Sequence, residues 1–131
     1  MTFRRGCTIT LGVLATLLAY GALVLLSHLP WPVSDPARLA AIGNEAQALT
    51  ARYPAKPPEH YSSIPKNLWP TAIARLRPDR VIVHEWGVDI LIKPFFDGGW
   101  GYHVGRSKRD LPMPEGCYSE VGAGIFWHGP C

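Results

Sequence analysis

Residues 8–29, TITLGVLATLLAYGALVLLSHL, run for 22 residues without a formal charge. Within lipid such a segment has to satisfy its backbone polar groups internally, and a single segment does that only as a helix. As a helix it would be ~33 Å long at ~1.5 Å per residue, against a hydrocarbon core of ~30 Å. A cleavable secretory leader has an apolar stretch of roughly 7–15 residues followed by small residues at the cut. This run is longer, and "SHLPWPVSD" after it contains no A-x-A-like site. The expectation is an uncleaved signal anchor over 8–29, with the lipid bilayer as its partner. Arg4 and Arg5 precede it and the next basic residue is Arg38, so residues 1–7 are expected to be cytoplasmic and the rest extracytoplasmic. In a bacterium this is a single-pass protein of the inner membrane. Trp31 would then lie at the outer interface.

Charge adds little direction beyond the anchor. The chain is formally +3. With Arg4 and Arg5 set aside, 11 basic residues face 10 acidic ones. No strong field remains to attract nucleic acid, which is not expected as a partner. The cluster Arg106, Lys108, Arg109 is offset by Asp110 and reads as a solvated loop.

Beyond the anchor, residues 30–35 form a stiff linker, and 36–131 form one small α+β domain. Pro30 and Pro32 stop the first helix. Ser34 or Asp35 can cap a second over about 36–52, with Pro36 in its first turn. Leu39, Ile42, Ala46, Leu49 and Tyr53 recur at spacings of 3, 4, 3 and 4, an apolar stripe suited to its own domain or to self-association. Four prolines in 53–65 imply an extended connection. A short helix near 70–76 ends at Pro78. The period then changes to two. Strands are expected at 80–86, 88–93, 100–105 and 124–128, with Gly87 and "DGG" 97–99 at turns. Four strands with short turns imply an antiparallel meander, covered on one face by the two helices.

Three groups of side chains are candidates for function. Cys117 and Cys131 would be the two thiols on the oxidising side of the membrane, so a disulfide is expected. A metal site on Cys117, His128 and Cys131 lacks paired C-x-x-C ligands and a fourth donor. His84, His103 and His128 all fall on expected strands. They form either a metal or hydrolytic site on a shared face or ordinary half-buried histidines. Glu85 points away from His84, and H-E-x-x-H is absent. Asp89, Asp97, Glu85 and Glu120 read as isolated acids. The aromatics of the strand region are mostly core candidates, with Phe95, Phe96, Trp100 and Tyr102 as a partner surface around the 94–102 turn.

From residue 64 onward, "IPKNLWPTAIARLRP", "VIVHEWGVDILI", "FF…GYHVG" and "GAGIFWHG" occur in order. This order resembles a group of small uncharacterised bacterial proteins in which a P-x-x-I-x-x-L-x-P segment precedes a strand, a G-V-x-I strand and a terminal aromatic strand. The resemblance covers about half the chain and implies fold determinants rather than an activity. No G-x-S-x-G, P-loop or G-x-G-x-x-G occurs, so neither catalysis nor a cofactor is expected. The expected role is a binding module of the bacterial envelope that contacts another envelope protein.

Overall fold

The computed structural model describes residues 3–131, with side chains from residue 12 onward. The chain forms two units, Met1–Trp31 and Pro32–Cys131. Helix α1, Phe3–Ser27, makes up the first. The expected span 8–29 starts among residues whose side chains lie outside the description, as do Arg4, Arg5 and Cys7 in its flank. Among the described residues no helix is long and apolar enough to cross a membrane. The described large apolar side chains of α1, from Val13 to Leu26, are all exposed.

The second unit is α+β. Helix α2, Pro36–Arg52, starts where the sequence placed it: Asp35 accepts a hydrogen bond from the Arg38 N–H at 3.2 Å, and Pro36 occupies the first turn. Its buried residues are Leu39, Ile42, Ala46 and Leu49, so the stripe serves its own domain. Helix α3, Thr71–Arg75, has only five residues. The Glu45 carboxylate of α2 accepts from the Ala72 and Ile73 N–H groups, each at 2.9 Å. A side chain from one helix therefore caps the other, which supplies partners for amides that a short helix leaves unsatisfied.

The sheet has six strands, where the sequence pointed to four. They are β1 (Tyr61–Ser63), β2 (Arg80–His84), β3 (Gly87–Phe95), β4 (Gly98–Gly105), β5 (Tyr118–Gly122) and β6 (Ile125–His128). All pairs are antiparallel, in the order β1-β2-β3-β4-β6-β5. Two features depart from a simple meander. A three-residue edge strand, β1, lies within the proline-rich connection. The last hairpin is turned over, so that β6 rather than β5 pairs with β4.

Alternation divides the sheet into two faces. One carries Val81, Val83, Val88, Ile90, Tyr102, Val104 and Ile125, which join the α2 stripe, Ile64 and Ile73 in the main core. The other carries a smaller cluster, Leu111, Tyr118 and Phe126, with Trp86 and Met113 packed against it. The 106–117 segment covers this second face. Lys108 Nζ donates to the Tyr118 carbonyl at 3.1 Å, anchoring the segment to β5. Gly87 sits at φ +145°, and a Cβ there would meet the Val104 carbonyl oxygen at 1.9 Å, so the start of β3 passes too close to β4 for any side chain.

Candidate functional site

The second face holds the chemistry. In the β3–β4 hairpin, Phe95↔Gly98, Pro94↔Gly99 and Lys93↔Trp100 keep one register. An irregularity between Leu91 and Lys93 shifts it, and from Leu91↔Gly101 onward the partners differ by one residue. Because paired residues share a face, this shift sets Asp89 opposite His103. Without it His103 would face Ile90 in the main core. Across the next ladder His103 pairs with Phe126, and His128 follows two residues later on the same face.

Asp89, His103 and His128 are each buried, and one potential ligand atom from each lies within 4.8 Å of the others. His103 Nε2 is 3.5 Å from Asp89 Oδ1, an ion-pair distance without hydrogen-bond geometry. The His103 and His128 rings are 4.3 Å apart between centroids. His103 Nδ1 lies 2.8 Å from the Tyr118 hydroxyl, whose oxygen also accepts the Met113 N–H at 3.2 Å. Arg80 approaches the second Asp89 oxygen at 3.9 Å.

Three buried polar atoms here lack a well-formed hydrogen bond, Asp89 Oδ1 and both ring nitrogens of His128, although the Gly99 and Gly129 backbone lies close enough to His128 to act on its charge. Leaving a buried polar atom unpaired costs roughly 1–3 kcal/mol, so three in one pocket mark a site rather than an accident of packing. Burial pushes the His128 pKa down to about 4, helped by His103. Asp89 and the nearby backbone of Gly129 and Gly99 oppose the shift without reversing it, so at neutral pH the ring is uncharged with a free lone pair. Burial raises the Tyr118 hydroxyl pKa, which keeps it a neutral phenol.

Of the three strand histidines, which the sequence left open between a metal or hydrolytic set and ordinary half-buried residues, His103 and His128 come together and His84 does not join them. His84 shares the face, but its ring stacks on Trp86 at 4.9 Å and it is not among the three residues whose ligand atoms meet, while Trp86 also approaches His103 at 4.7 Å. Burial lowers the His84 pKa as well. Its place beside His103 and His128 is taken by Asp89, read from the sequence as an isolated acid. Asp89 had one visible signal, an acid within the apolar run V-D-I-L-I, but alternation alone put it on a face expected to be solvated. Tyr118 had none, since its strand was not foreseen. Glu85 is placed elsewhere, 2.7 Å from exposed His60.

Cys117 and Cys131 lie at disulfide-bonding distance, with Cα atoms 5.9 Å apart. They bracket the site: Cys117 precedes Tyr118, Cys131 follows His128 by three residues, and Tyr118 pairs with His128 in the ladder. A metal set of Cys117, His128 and Cys131 is not what the fold assembles.

The expected partner surface is divided. Phe96 occupies the tip of the β3–β4 hairpin and is 92% exposed. Phe95 is 46% exposed and meets it edge to face at 4.6 Å. Trp100 is half-buried, against Phe95 and beneath Lys93 Nζ. Tyr102 does not belong to this surface. It is 1% exposed in the main core, where its hydroxyl accepts the Val33 N–H at 2.7 Å, because alternation turns it to the helix-covered face. A cleft of about 280 Å³ runs from Phe95 and Phe96 past Met113 to His128 and Cys131, with His128 the member of the buried cluster among its lining residues. No family model matches the chain, and no curated protein or solved structure matches it either.

Proposed function

We propose that this chain is a single-pass, membrane-tethered binding module of the bacterial envelope, and that the Phe95–Phe96 tip with its adjoining cleft is the surface that contacts another envelope protein. The observation that carries the reading is Phe96. It exposes 92% of its surface to solvent and adopts φ +50°, a conformation that bulky side chains rarely take. Such a backbone costs of order 1–3 kcal/mol, and the edge-to-face contact with Phe95 returns only about 0.5–1.5 kcal/mol of it. Glycine would serve the turn better, so a phenylalanine held there is best explained by something it touches.

The tether is supported by the charge-free run 8–29 and by α1, whose described apolar side chains find no cover, Leu18 and Leu25 being 67% and 72% exposed. Lipid supplies that cover. Arg4 and Arg5 then set the N-terminus in the cytoplasm and the sheet domain outside.

The test separates stability from contact. Phe96→Gly leaves the domain's melting point nearly unchanged, because relief of the strained φ offsets the lost edge-to-face contact with Phe95. The same change removes crosslinks formed in native membranes by a photoreactive amino acid at position 95. Position 95 giving no protein adduct in the unmutated chain, or giving the same adduct after Phe96→Gly, refutes the reading.

A further inference from the structure

We infer that Asp89, His103 and His128 form a binding site for a divalent transition-metal ion of the zinc class, with three protein ligands and at least one position left for water or an external ligand. Two imidazoles and one carboxylate are the donor set that borderline ions prefer over magnesium or calcium, which favour all-oxygen cages. The set is drawn from three neighbouring strands, β3, β4 and β6, so sheet hydrogen bonding fixes the three backbones before any ion arrives.

Three observations point to an ion rather than to a plain buried polar cluster. First, His128 is 95% buried with neither ring nitrogen in a well-formed hydrogen bond, the Gly99 and Gly129 backbone lying close by, and Asp89 Oδ1 beside it is unpartnered. A cation among them satisfies one nitrogen and the oxygen together. Second, His103 is already oriented as ligating histidines are. Its Nδ1 is engaged by the Tyr118 hydroxyl, leaving Nε2 directed toward Asp89. When Nδ1–H donates to the Tyr118 oxygen, the Nε2 lone pair is free for metal. Tyr118 is itself held by the Met113 N–H, so the support extends one bond further. Third, His128 is among the residues that line the cleft, so the cluster lies directly beneath a solvent-filled space. The three ligand atoms already lie within 4.8 Å of one another, and bonds of ~2.0–2.1 Å to a tetrahedral ion require them to draw closer still.

His84 lies outside the set with its ring stacked on Trp86, and exposed His60 is occupied with Glu85. These two histidines are the natural controls.

The test uses the full chain in detergent micelles, stripped with a chelator. Zn²⁺ is titrated against a chromophoric competitor, and Co²⁺ is used for spectroscopy. The expected result is one Zn²⁺ per chain with sub-micromolar affinity, weakened by about a hundredfold or more in His128→Gln and in Asp89→Asn. The His84→Gln and His60→Gln chains bind as the unmutated chain does. Co²⁺ on the unmutated chain gives the intense visible bands of a four- or five-coordinate ion and shifts ring-proton resonances of His103 and His128, a readout that stands even where a variant fails to fold. No stoichiometric Zn²⁺, the weak bands of a six-coordinate surface ion, or binding that survives both ligand substitutions and falls with His60 or His84 overturns the proposal.

Discussion

The Tyr118 hydroxyl reaches across β6 to lie 2.8 Å from His103 Nδ1, although their strands do not pair. One phenol thus links the edge strand, the covering segment through Met113, and the buried acid–imidazole cluster. Tyr118→Phe keeps the ring and its packing on Phe126 but removes this link. Buried His103 and half-buried Met113 each lose a hydrogen bond, so the domain is expected to lose about 1–3 kcal/mol in denaturant unfolding. Zn²⁺ affinity is expected to fall about 10–100-fold, as for other outer-shell losses at metal-bound histidines. A variant that is as stable as the parent and binds Zn²⁺ equally well would show that the contact positions nothing.

The cysteine pair closes a separation of 14 residues that contains both Tyr118 and His128. In the chain-entropy view such a crosslink stabilises by about 3 kcal/mol. The double substitution Cys117→Ser, Cys131→Ser should cost about that much in reversible unfolding and should also weaken Zn²⁺ binding, because the segment carrying His128 is no longer pinned beside β5. Reduction of the unmutated chain with a strong reductant should reproduce both effects.

Glu45 offers a test of the helix pair that does not touch the site. Its two oxygens accept the Ala72 and Ile73 N–H groups. Glu45→Gln retains one acceptor and loses the charge, so one amide of α3 is left without its partner. A loss of about 1–2 kcal/mol is expected, visible in thermal or urea unfolding. Zn²⁺ affinity should be unchanged, which separates general instability from damage to the site.

Acid should unfold the metal-free domain through His128. Its folded-state pKa is depressed to about 4 by burial, with His103 assisting and Asp89 opposing. In the unfolded chain the ring returns to about 6.5. Between these values the unfolded state binds more protons, so stability rises with pH there. The contribution of the neutral ring is full above about pH 6.5 and is progressively lost as the pH falls toward 4. Urea midpoints measured across that window should drop for the chelator-treated chain and drop less for His128→Gln. His84, whose pKa is also lowered by burial, adds a smaller slope of the same sign.

Much of the scaffold was legible because its signals are local. The stripe Leu39, Ile42, Ala46, Leu49 predicts the buried face of α2, and Asp35 with Pro36 marks its start. The alternation in 80–84 and 88–93 identifies the central hairpin. Strand β1 was hidden because Tyr61–Ser63 is three residues long and flanked by prolines, leaving no period to read. Strand β5 was hidden by the irregularity between Glu120 and Gly122, which breaks its alternation. The site was half legible. That His103 and His128 share a face follows from period two once β4 and β6 are neighbours. That Asp89 joins them does not, because counting back from the 96–97 turn pairs His103 with Ile90. The shifted register between Leu91 and Lys93 corrects that count, and it depends on packing across the whole hairpin. Tyr102 fails as a surface residue for a related reason: proximity to a turn in sequence says nothing about which face a strand residue takes.

The claim on which the account rests is that α1 tethers the sheet domain on the oxidising side of a membrane. Intact mass after thiol alkylation, without and with reductant, on chain extracted from native membranes tests it most directly. The account predicts a mass that includes residues 8–29, with Cys7 alkylated at once and Cys117 and Cys131 alkylated only after reduction. A chain found outside the membrane fraction with all three thiols reactive before reduction would contradict it.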